Sequence, residues 1–220
     1  MLNIDLWQQF IKAFSSEISK ADENQLASAW SSPQARTKFY KEMLSPLAMS
    51  LGMLIEEDLE AGSELFKVDF AICRNSKEIK VPLIFIESEN NAFSDDHEVR
   101  KLVNLAAPLR VLITVIQWDE DSDVFPKAYR SSLLPRWEEM IRQHQIVWPR
   151  PGVVGILIGE WRPDKKFRFY GYGYGEGHRL AVPNPEILFE RQVRSGKPNI
   201  DLNLLTQISM RKNGVECRSA

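Results

Sequence analysis

Residues 81–89 read Val-Pro-Leu-Ile-Phe-Ile-Glu-Ser-Glu, an apolar run that ends in two acids. Runs that are rich in β-branched and aromatic residues are typical of strands. The similar run at residues 65–72 contains Asp69, and the charged, turn-like residues 73–80 separate the two runs. The pattern predicts an antiparallel hairpin that places Asp69 close to Glu87.

On the amino-terminal side of the hairpin, the sequence predicts two helices and a short strand. Apolar residues recur at helical intervals over residues 3–20, which predicts an amphipathic helix. A second helix is predicted from Pro33, because proline suits the first helical position, to about Ala48. Gly52 interrupts the helical pattern, and residues 53–59 are then expected to form a short strand.

On the carboxyl-terminal side, a helix and a buried strand are predicted. Asp95 followed three residues later by Glu98 is typical of a capping box at a helix start. The helix is expected to reach about Ala107 and to be ended by Pro108. Residues 110–118 are almost all apolar and rich in β-branched residues, which predicts a central parallel strand buried on both faces.

Beyond residue 120 the sequence predicts a helix over residues 126–145, broken at Pro135, and two further strands at residues 152–159 and 166–174. The second of these strands alternates Tyr with Gly, so its tyrosines share one face. That face either packs on a neighbouring helix or stacks on unpaired bases, and the sequence leaves both interpretations open.

Length and composition favour one soluble α/β domain spanning residues 1–220. The chain has 220 residues, of which 44% are hydrophobic and 26% charged, a balance that suits a single α/β domain with additions. The longest mostly apolar stretch, residues 44–55, is too short to span a bilayer. A secretory signal is not recognised, and Cys73 and Cys217 are the only cysteines. We therefore expect a cytoplasmic protein without a disulfide scaffold.

Charge is distributed unevenly along the chain. Residues 51–100 carry twelve acidic and five basic side chains, a net charge of −7, whereas residues 127–179 carry ten basic and five acidic ones, a net charge of +5. A nuclease needs acids to hold a metal and basic side chains to neutralise phosphates. The alternative interpretation is that both segments are ordinary solvated faces.

The predicted order of helix, three strands, helix and strand, with Asp69 in the second strand and Glu87-x-Glu89 in the third, resembles the PD-(D/E)XK nuclease superfamily. That superfamily has the restriction-endonuclease-like fold, an α/β fold with a mixed central sheet flanked by helices. The resemblance covers about residues 33–118. The parts outside this core are an amino-terminal helix at 3–20, a β-containing carboxyl-terminal extension at about 121–208, and a polar tail at 209–220.

The resemblance implies that Asp69 and Glu87 ligate Mg²⁺, or Mn²⁺ in its place, and that the chain hydrolyses phosphodiester bonds in nucleic acid, with DNA favoured. Where Glu89 stands, the superfamily usually has a lysine that positions or activates the attacking water. Glu89 would then orient the water or act as a further metal ligand, or Lys101 on the following helix would replace the missing lysine. A third interpretation is an inactive relative that binds nucleic acid or a protein.

Weaker candidates for substrate contact lie outside the acids. His97 stands near the start of the helix that follows them, and Lys165, Lys166 and Arg168 precede or begin the Tyr-Gly strand. These basic side chains would bind phosphates. Because cutting both strands of a duplex commonly uses two sites, a homodimer is also expected, with the amino-terminal helix as its contact surface. No membrane partner is expected.

Overall fold

The computed structural model describes residues 3–64, 67–76, 79–90, 95–118, 129–162, 165–180 and 187–193. These segments contain five helices and eight strands, so the protein is an α/β fold, as predicted. The helices are α1 (Asn3–Lys20), α2 (Glu23–Ala29), α3 (Pro33–Ile55), α4 (Asp95–Asn104) and α5 (Arg130–Val147). The strands are β1 (Leu59–Ser63), β2 (Phe70–Ser76), β3 (Ile79–Glu89), β4 (Leu109–Val115), β5 (Val153–Trp161), β6 (Lys166–Gly175), β7 (His178–Arg179) and β8 (Ile187–Gln192).

The described strands form one mixed sheet in the order β1-β2-β3-β4-β5-β6-β7, and β8 also pairs with β6. Strands β3, β4 and β5 are parallel to one another, and the other pairings are antiparallel. This arrangement confirms the prediction that β4 is a central parallel strand. Because parallel strands point the same way, the carboxyl ends of β3, β4 and β5 meet at one edge of the sheet, called here the carboxyl edge.

Helices α1, α2 and α3 cover one face of the sheet. The apolar side of α1, which includes Trp7, Phe10 and Phe14, is buried against residues of β4, β5 and β6. This confirms the predicted amphipathic helix, whose apolar stripe is buried within its own chain. A homodimer that used α1 would therefore have to contact it through its polar side.

Helices α4 and α5 cover the opposite face. Trp118, which follows β4, and Trp137 of α5 are fully buried, with ring centroids 5.8 Å apart and planes at 7°. The Trp118 indole N–H also donates a hydrogen bond of 2.8 Å to the hydroxyl of Tyr172. This aromatic cluster fastens α5 to the sheet, because stacked rings add a specific geometry to the burial of apolar area.

The alternation of Tyr and Gly in β6 places tyrosines on the face covered by α4 and α5 and glycines on the face covered by α1, α2 and α3. Tyr170, Tyr172 and Tyr174 lie in the core beneath α4 and α5 and are buried. On the other face, a β-carbon at Gly173 would collide with the indole of Trp7. The tyrosines therefore pack under helices, as one of the two interpretations proposed, and the interpretation that they stack on unpaired bases is wrong.

The predicted antiparallel pairing of the two hairpin strands is confirmed, but the long turn predicted at residues 73–80 is wrong. Strands β2 and β3 are antiparallel, with Phe70 opposite Ile86. However, β2 continues to Ser76 and β3 begins at Ile79, so the strands occupy most of the expected long turn at residues 73–80. The polar residues of this segment extend the hairpin beyond the core because backbone pairing continues without apolar side chains.

Gly52 does not end the second helix. Helix α3 continues to Ile55, so the expected end near Ala48 and the expected strand at residues 53–59 are both wrong. The helix ends at Glu56, which has a left-handed conformation and donates its backbone N–H to the carbonyl of Gly52. A β-carbon at Gly52 would lie 2.7 Å from the carbonyl oxygen of Glu57, so this glycine permits the close return of the chain after the helix.

Pro135 lies inside α5, which runs without a break from Arg130 to Val147, so the predicted break is wrong. The proline is exposed in the second turn of the helix, so the loss of one backbone donor is tolerated on the solvent side. Short elements that carry little apolar pattern, α2, β7 and β8, were not predicted.

Several expectations fall on residues that the structure does not describe. They concern the start of the first hairpin run, the start of the helix predicted at residue 126, and Cys217 with the polar tail; the residues are 65–66, 126–128 and 194–220. Cys73 is buried and forms no disulfide with any described residue. None of the helices in the described segments is both long enough and apolar enough to cross a membrane.

Candidate active site at the carboxyl edge

Asp69 and Glu87 are brought together by the pairing of β2 with β3. Phe70 is opposite Ile86, so Asp69, which directly precedes β2, lies across from Glu87. The Oδ2 atom of Asp69 accepts a hydrogen bond of 2.8 Å from the backbone N–H of Ser88. The exposed carboxylate of Asp69 is therefore held beside the buried carboxylate of Glu87 by a backbone contact.

Lys101 reaches this acid pair from α4. Glu87 faces the layer of α4 and α5, and its side chain is almost completely buried, with 2% of its surface exposed. The Nζ atom of Lys101 lies 2.6 Å from Oε1 of Glu87 and 3.7 Å from Oε2 of Glu98, one turn before it. Helix α4 thus places the ammonium group of Lys101 directly against the buried carboxylate of Glu87 on β3.

Burial, with a smaller contribution from the negative charges of Asp69 and Glu98, raises the pKa of Glu87 to about 7 against the opposing effect of Lys101. Burial would lower the pKa of Lys101, but Glu87, Glu98 and Asp69 together raise it above its ordinary value. Lys101 is therefore charged at neutral pH, and Glu87 exchanges a proton in the physiological range. Acids with such shifts are frequent at functional sites.

Asp95, the first residue of α4, is a second buried acid at the carboxyl edge. It is fully buried, and among the described residues its carboxylate meets a single hydrogen-bonding group, the hydroxyl of Thr114. Burial, with a smaller contribution from the charges of Glu89 and Glu98, raises the pKa of Asp95 to about 8 against the opposing effect of the Thr114 hydroxyl. Asp95 was expected only to begin a helix, and the sequence carries no signal of its burial.

Glu89 lies next to Asp95 rather than in the Asp69 pair. It is half-buried at the end of β3, opposite Thr114 of β4. Its Oε1 atom accepts a hydrogen bond of 2.7 Å from the backbone N–H of Asn90. The side-chain oxygen of Asn90 in turn accepts a hydrogen bond of 2.8 Å from Nε of the buried Arg36 in α3. These contacts fix the chain where it leaves β3.

The described residues contain no group of three or more His, Cys, Asp or Glu side chains arranged to hold a metal ion. The predicted ligand set of Asp69, Glu87 and Glu89 is therefore not assembled as a three-acid cluster. Two neighbouring carboxylates, Asp69 and Glu87, are present, and their hard oxygen atoms suit Mg²⁺, which retains several water ligands and needs few from the protein. The donor chemistry fits this ion, although Lys101 contacts one of the oxygens.

The weaker candidates are dispersed. His97 is exposed on α4. Lys165 is exposed before β6, whereas Lys166 and Arg168 both form ion pairs with Glu190 of β8, the first at 3.5 Å. Because β6 is three strands from β3, these basic side chains begin about 14 Å to the side of the acids. The structure does not bring them into the Asp69–Glu87 site.

A further buried acid, Glu160 at the end of β5, was also missed from the sequence. Its Oε1 atom accepts hydrogen bonds from the backbone N–H of Trp118, at 2.7 Å, and from Nε2 of Gln117, at 3.2 Å. Its Oε2 atom accepts a hydrogen bond of 2.7 Å from the hydroxyl of Tyr170 and lies 3.8 Å from Nη1 of Arg162. Glu160 therefore ties the segment after β4 to β5 and β6.

Comparison of the chain with protein-family models, with curated proteins and with solved structures found no match. The function must therefore be inferred from the chemistry of the residues at the carboxyl edge.

Proposed function

We propose that the protein is a metal-dependent nuclease with a restriction-endonuclease-like core, and that it hydrolyses phosphodiester bonds in nucleic acid, with DNA the favoured substrate. The observation that carries this proposal is the trio of Asp69, Glu87 and Lys101. Two carboxylates lie on adjacent strands, and an ammonium group lies 2.6 Å from the buried one. The order of elements from α3 through β1, β2, β3 and α4 to β4 supports the same proposal.

In this proposal Asp69 and Glu87 hold Mg²⁺, or Mn²⁺ in its place. A bound ion of this kind polarises a phosphoryl oxygen and lowers the pKa of a water ligand. Lys101 stands where it can turn from Glu87 to the phosphate and stabilise the charge that develops there. It thereby supplies the positive charge that Glu89 cannot supply from the usual lysine position.

Proton release is a consequence of the pKa of Glu87. Since metal ligands must be deprotonated, a carboxyl with a pKa of about 7 must lose its proton when the ion binds. The apparent affinity for Mg²⁺ should therefore rise as the pH increases from 6 to 8, by up to about tenfold per pH unit below pH 7.

The experiment is a calorimetric titration of the metal-free protein with Mg²⁺ and Mn²⁺ at pH 6, 7 and 8, followed by cleavage assays on double-stranded DNA, single-stranded DNA and RNA. Glu87→Gln should lose metal binding and lower cleavage by about a hundredfold. Glu42→Gln, which removes an exposed acid of α3 whose partner is Lys38, is the matched control and should behave like the parent.

A second candidate is a catalytically inactive protein of the same fold that binds nucleic acid or a protein. Glu89 at the usual lysine position and the direct contact between Lys101 and Glu87 favour it, because that ion pair by itself compensates the buried carboxylate. Metal indifference of the parent, with nucleic acid present, would favour this binder over the nuclease.

A further inference from the structure

Three basic side chains meet at the opposite edge of the sheet, where β4 begins. They are called here the arginine cluster and consist of Arg110 at the start of β4, His144 in the last turn of α5, and Arg150 between α5 and β5. Arg110 shares the sheet face of α4 and α5, so the ends of these helices surround it.

Arg110 is buried without a carboxylate. Only 3% of its surface is exposed. Its Nη1 and Nη2 atoms donate long hydrogen bonds to two backbone carbonyls, those of Leu105 at 3.3 Å and Pro151 at 3.4 Å. Its Nε atom is buried and has no hydrogen-bond partner in the described chain. Among the described residues, the charge of Arg110 is therefore met by weak contacts to neutral groups.

Arg150 places a second guanidinium group beside that of Arg110. Arg110 contacts the carbonyl of Pro151, which is the residue directly after Arg150. The guanidinium carbon of Arg150 lies 4.7 Å from the ring centroid of Trp148, and its Nε atom is also buried without a partner. The Nε2 atom of His144 lies 3.1 Å from the side-chain oxygen of Asn104, at the end of α4.

The electrostatic environment of the cluster is positive throughout. Burial and, to a smaller extent, the charge of Arg150 lower the pKa of Arg110 to about 10. Burial and the charges of both arginines lower the pKa of His144. No acid of the described segments forms an ion pair with either arginine. Arg162, by contrast, lies 3.8 Å from the carboxylate of Glu160.

We propose that Arg110, Arg150 and His144 bind a phosphate group, carried either by a free nucleotide or by the backbone of a nucleic acid. A buried charge without a counter-charge destabilises a fold, and an anion supplied from outside removes that penalty. Guanidinium groups match the oxygen geometry of phosphate with paired hydrogen bonds.

The surroundings favour a phosphate attached to a base. Trp148 beside Arg150 is 58% exposed, and Ile146 and Val147 before it are exposed as well. An exposed aromatic ring next to a cationic group is the combination that binds a base and its phosphate together. The apolar group of the ligand would therefore lie over the end of α5.

This site is separate from the candidate active site. Asp95 begins α4 at the carboxyl edge, and Asn104 ends it at the arginine cluster; these positions are about 14 Å apart along the helix axis. The inference goes beyond the proposed nuclease and does not depend on it, because its test measures binding and not cleavage.

The test is a titration of the full chain, without added metal, with inorganic phosphate, a 5′-nucleoside monophosphate and a short single-stranded oligonucleotide. Affinity is measured by calorimetry, and ligand-induced stabilisation by thermal unfolding. Arg150→Ala and Arg110→Met should each weaken binding by about tenfold or more. Arg100→Ala, which removes an exposed arginine of α4, is the matched control and should leave the affinity unchanged.

The three ligands distinguish the source of the phosphate. A monophosphate that binds more tightly than inorganic phosphate and as tightly as the oligonucleotide identifies a nucleotide site. An oligonucleotide that binds most tightly, with affinity that falls as salt rises, identifies a nucleic-acid backbone. Absence of binding by the parent to all three ligands would overturn the proposal.

Equal affinities in the parent and in Arg150→Ala would also overturn it. Arg150 is half-buried, so its replacement leaves the fold intact and keeps the test valid should Arg110→Met fail to fold. In phosphate-free buffer, Arg110→Met should be at least as stable as the parent, because it removes an uncompensated buried charge.

Discussion

Two buried carboxylates lie on the same face of the sheet and differ in their hydrogen bonds: Glu160 at the end of β5 and Asp95 above the end of β3. Glu160, at the end of β5, is fully buried and accepts hydrogen bonds from a backbone N–H, an amide and a hydroxyl. Asp95, above the end of β3, is equally buried, but among the described residues its oxygens meet only the hydroxyl of Thr114. Its neighbours Glu89 and Glu98 carry the same charge and raise its pKa.

The difference distinguishes an acid that stabilises the folded protein from acids that destabilise it. A buried polar group with its hydrogen bonds complete is a normal part of a core. Buried acids that lack partners and lie beside other acids destabilise the fold, and they persist where function needs them. The comparison therefore assigns Glu160 a structural role and directs the search for chemistry to Asp95, Glu87 and Lys101.

The largest expected effect is that of Glu160→Ala. The substitution leaves three buried donors, from Trp118, Gln117 and Tyr170, without their acceptor. We expect it to lower the free energy of unfolding by about 3–5 kcal/mol, measured by urea denaturation followed by tryptophan fluorescence. A loss below about 1 kcal/mol, the size of a surface effect, would break the comparison.

An effect of opposite sign is expected for Asp95→Asn. A carboxyl whose pKa is raised in the folded protein stabilises that protein when protonated, so the parent should lose stability as the pH rises from about 4 to about 8. Asn cannot ionise, so the variant should lose less, and at pH 8 it should exceed the parent by on the order of 3 kcal/mol. Urea denaturation at pH 5, 6.5 and 8 measures both profiles.

Glu87, whose pKa is also raised, contributes a slope of the same sign in the parent and in Asp95→Asn, so the difference between the two profiles isolates Asp95. Glu42→Gln serves as the control and should follow the parent at every pH. Parallel profiles for the parent and Asp95→Asn would contradict the assignment of Asp95 as an uncompensated buried acid.

The smallest effect is expected for Glu190→Gln. Glu190 lies outside the core, so its substitution tests whether burial explains the large effect expected at Glu160. Glu190 pairs with Lys166 and Arg168, and its side chain is 37% exposed. Because solvent screens such pairs, the substitution should change the free energy of unfolding by less than about 1 kcal/mol, and less still in high salt. A loss as large as that of Glu160→Ala would show that burial does not decide the difference.

Local pairing explains which parts of the candidate site were predictable. Asp69 directly precedes β2 and Glu87 lies on β3, and these two strands are neighbours in sequence and in the sheet, so the pattern of two apolar runs was enough to predict their approach. Lys101 was proposed from the family resemblance, which allows a lysine on the following helix, and the structure places its ammonium group 2.6 Å from Glu87. Glu89 was grouped with Glu87 because alternate residues of a strand share a face and because of the family resemblance. The structure places it opposite Thr114 and beside Asp95.

Gly52 and Pro135 were expected to end or break helices, but tertiary packing keeps both helices continuous. Gly52 remains helical because packing extends α3, and Pro135 is accommodated on the exposed side of α5. Propensity is a weak indicator when an element has an apolar face to bury. The same dependence on context explains why the burial of Asp95, Glu160 and Arg110 was not predicted, since their surroundings come from segments distant in sequence.

By itself the sequence determined the α/β class, the antiparallel hairpin of β2 and β3, the central strand β4 and the amphipathic helix α1, because apolar periodicity and turn residues act over short distances. Only the tertiary structure decided which charged side chains are buried and which of them have partners. Glu160 accepts hydrogen bonds from residues after β4 and on β6, whereas in the described segments Asp95 meets only the Thr114 hydroxyl and Arg110 only two backbone carbonyls at long distance. Burial and compensation of charge depend on contacts between distant segments, and those contacts exist only in the folded chain.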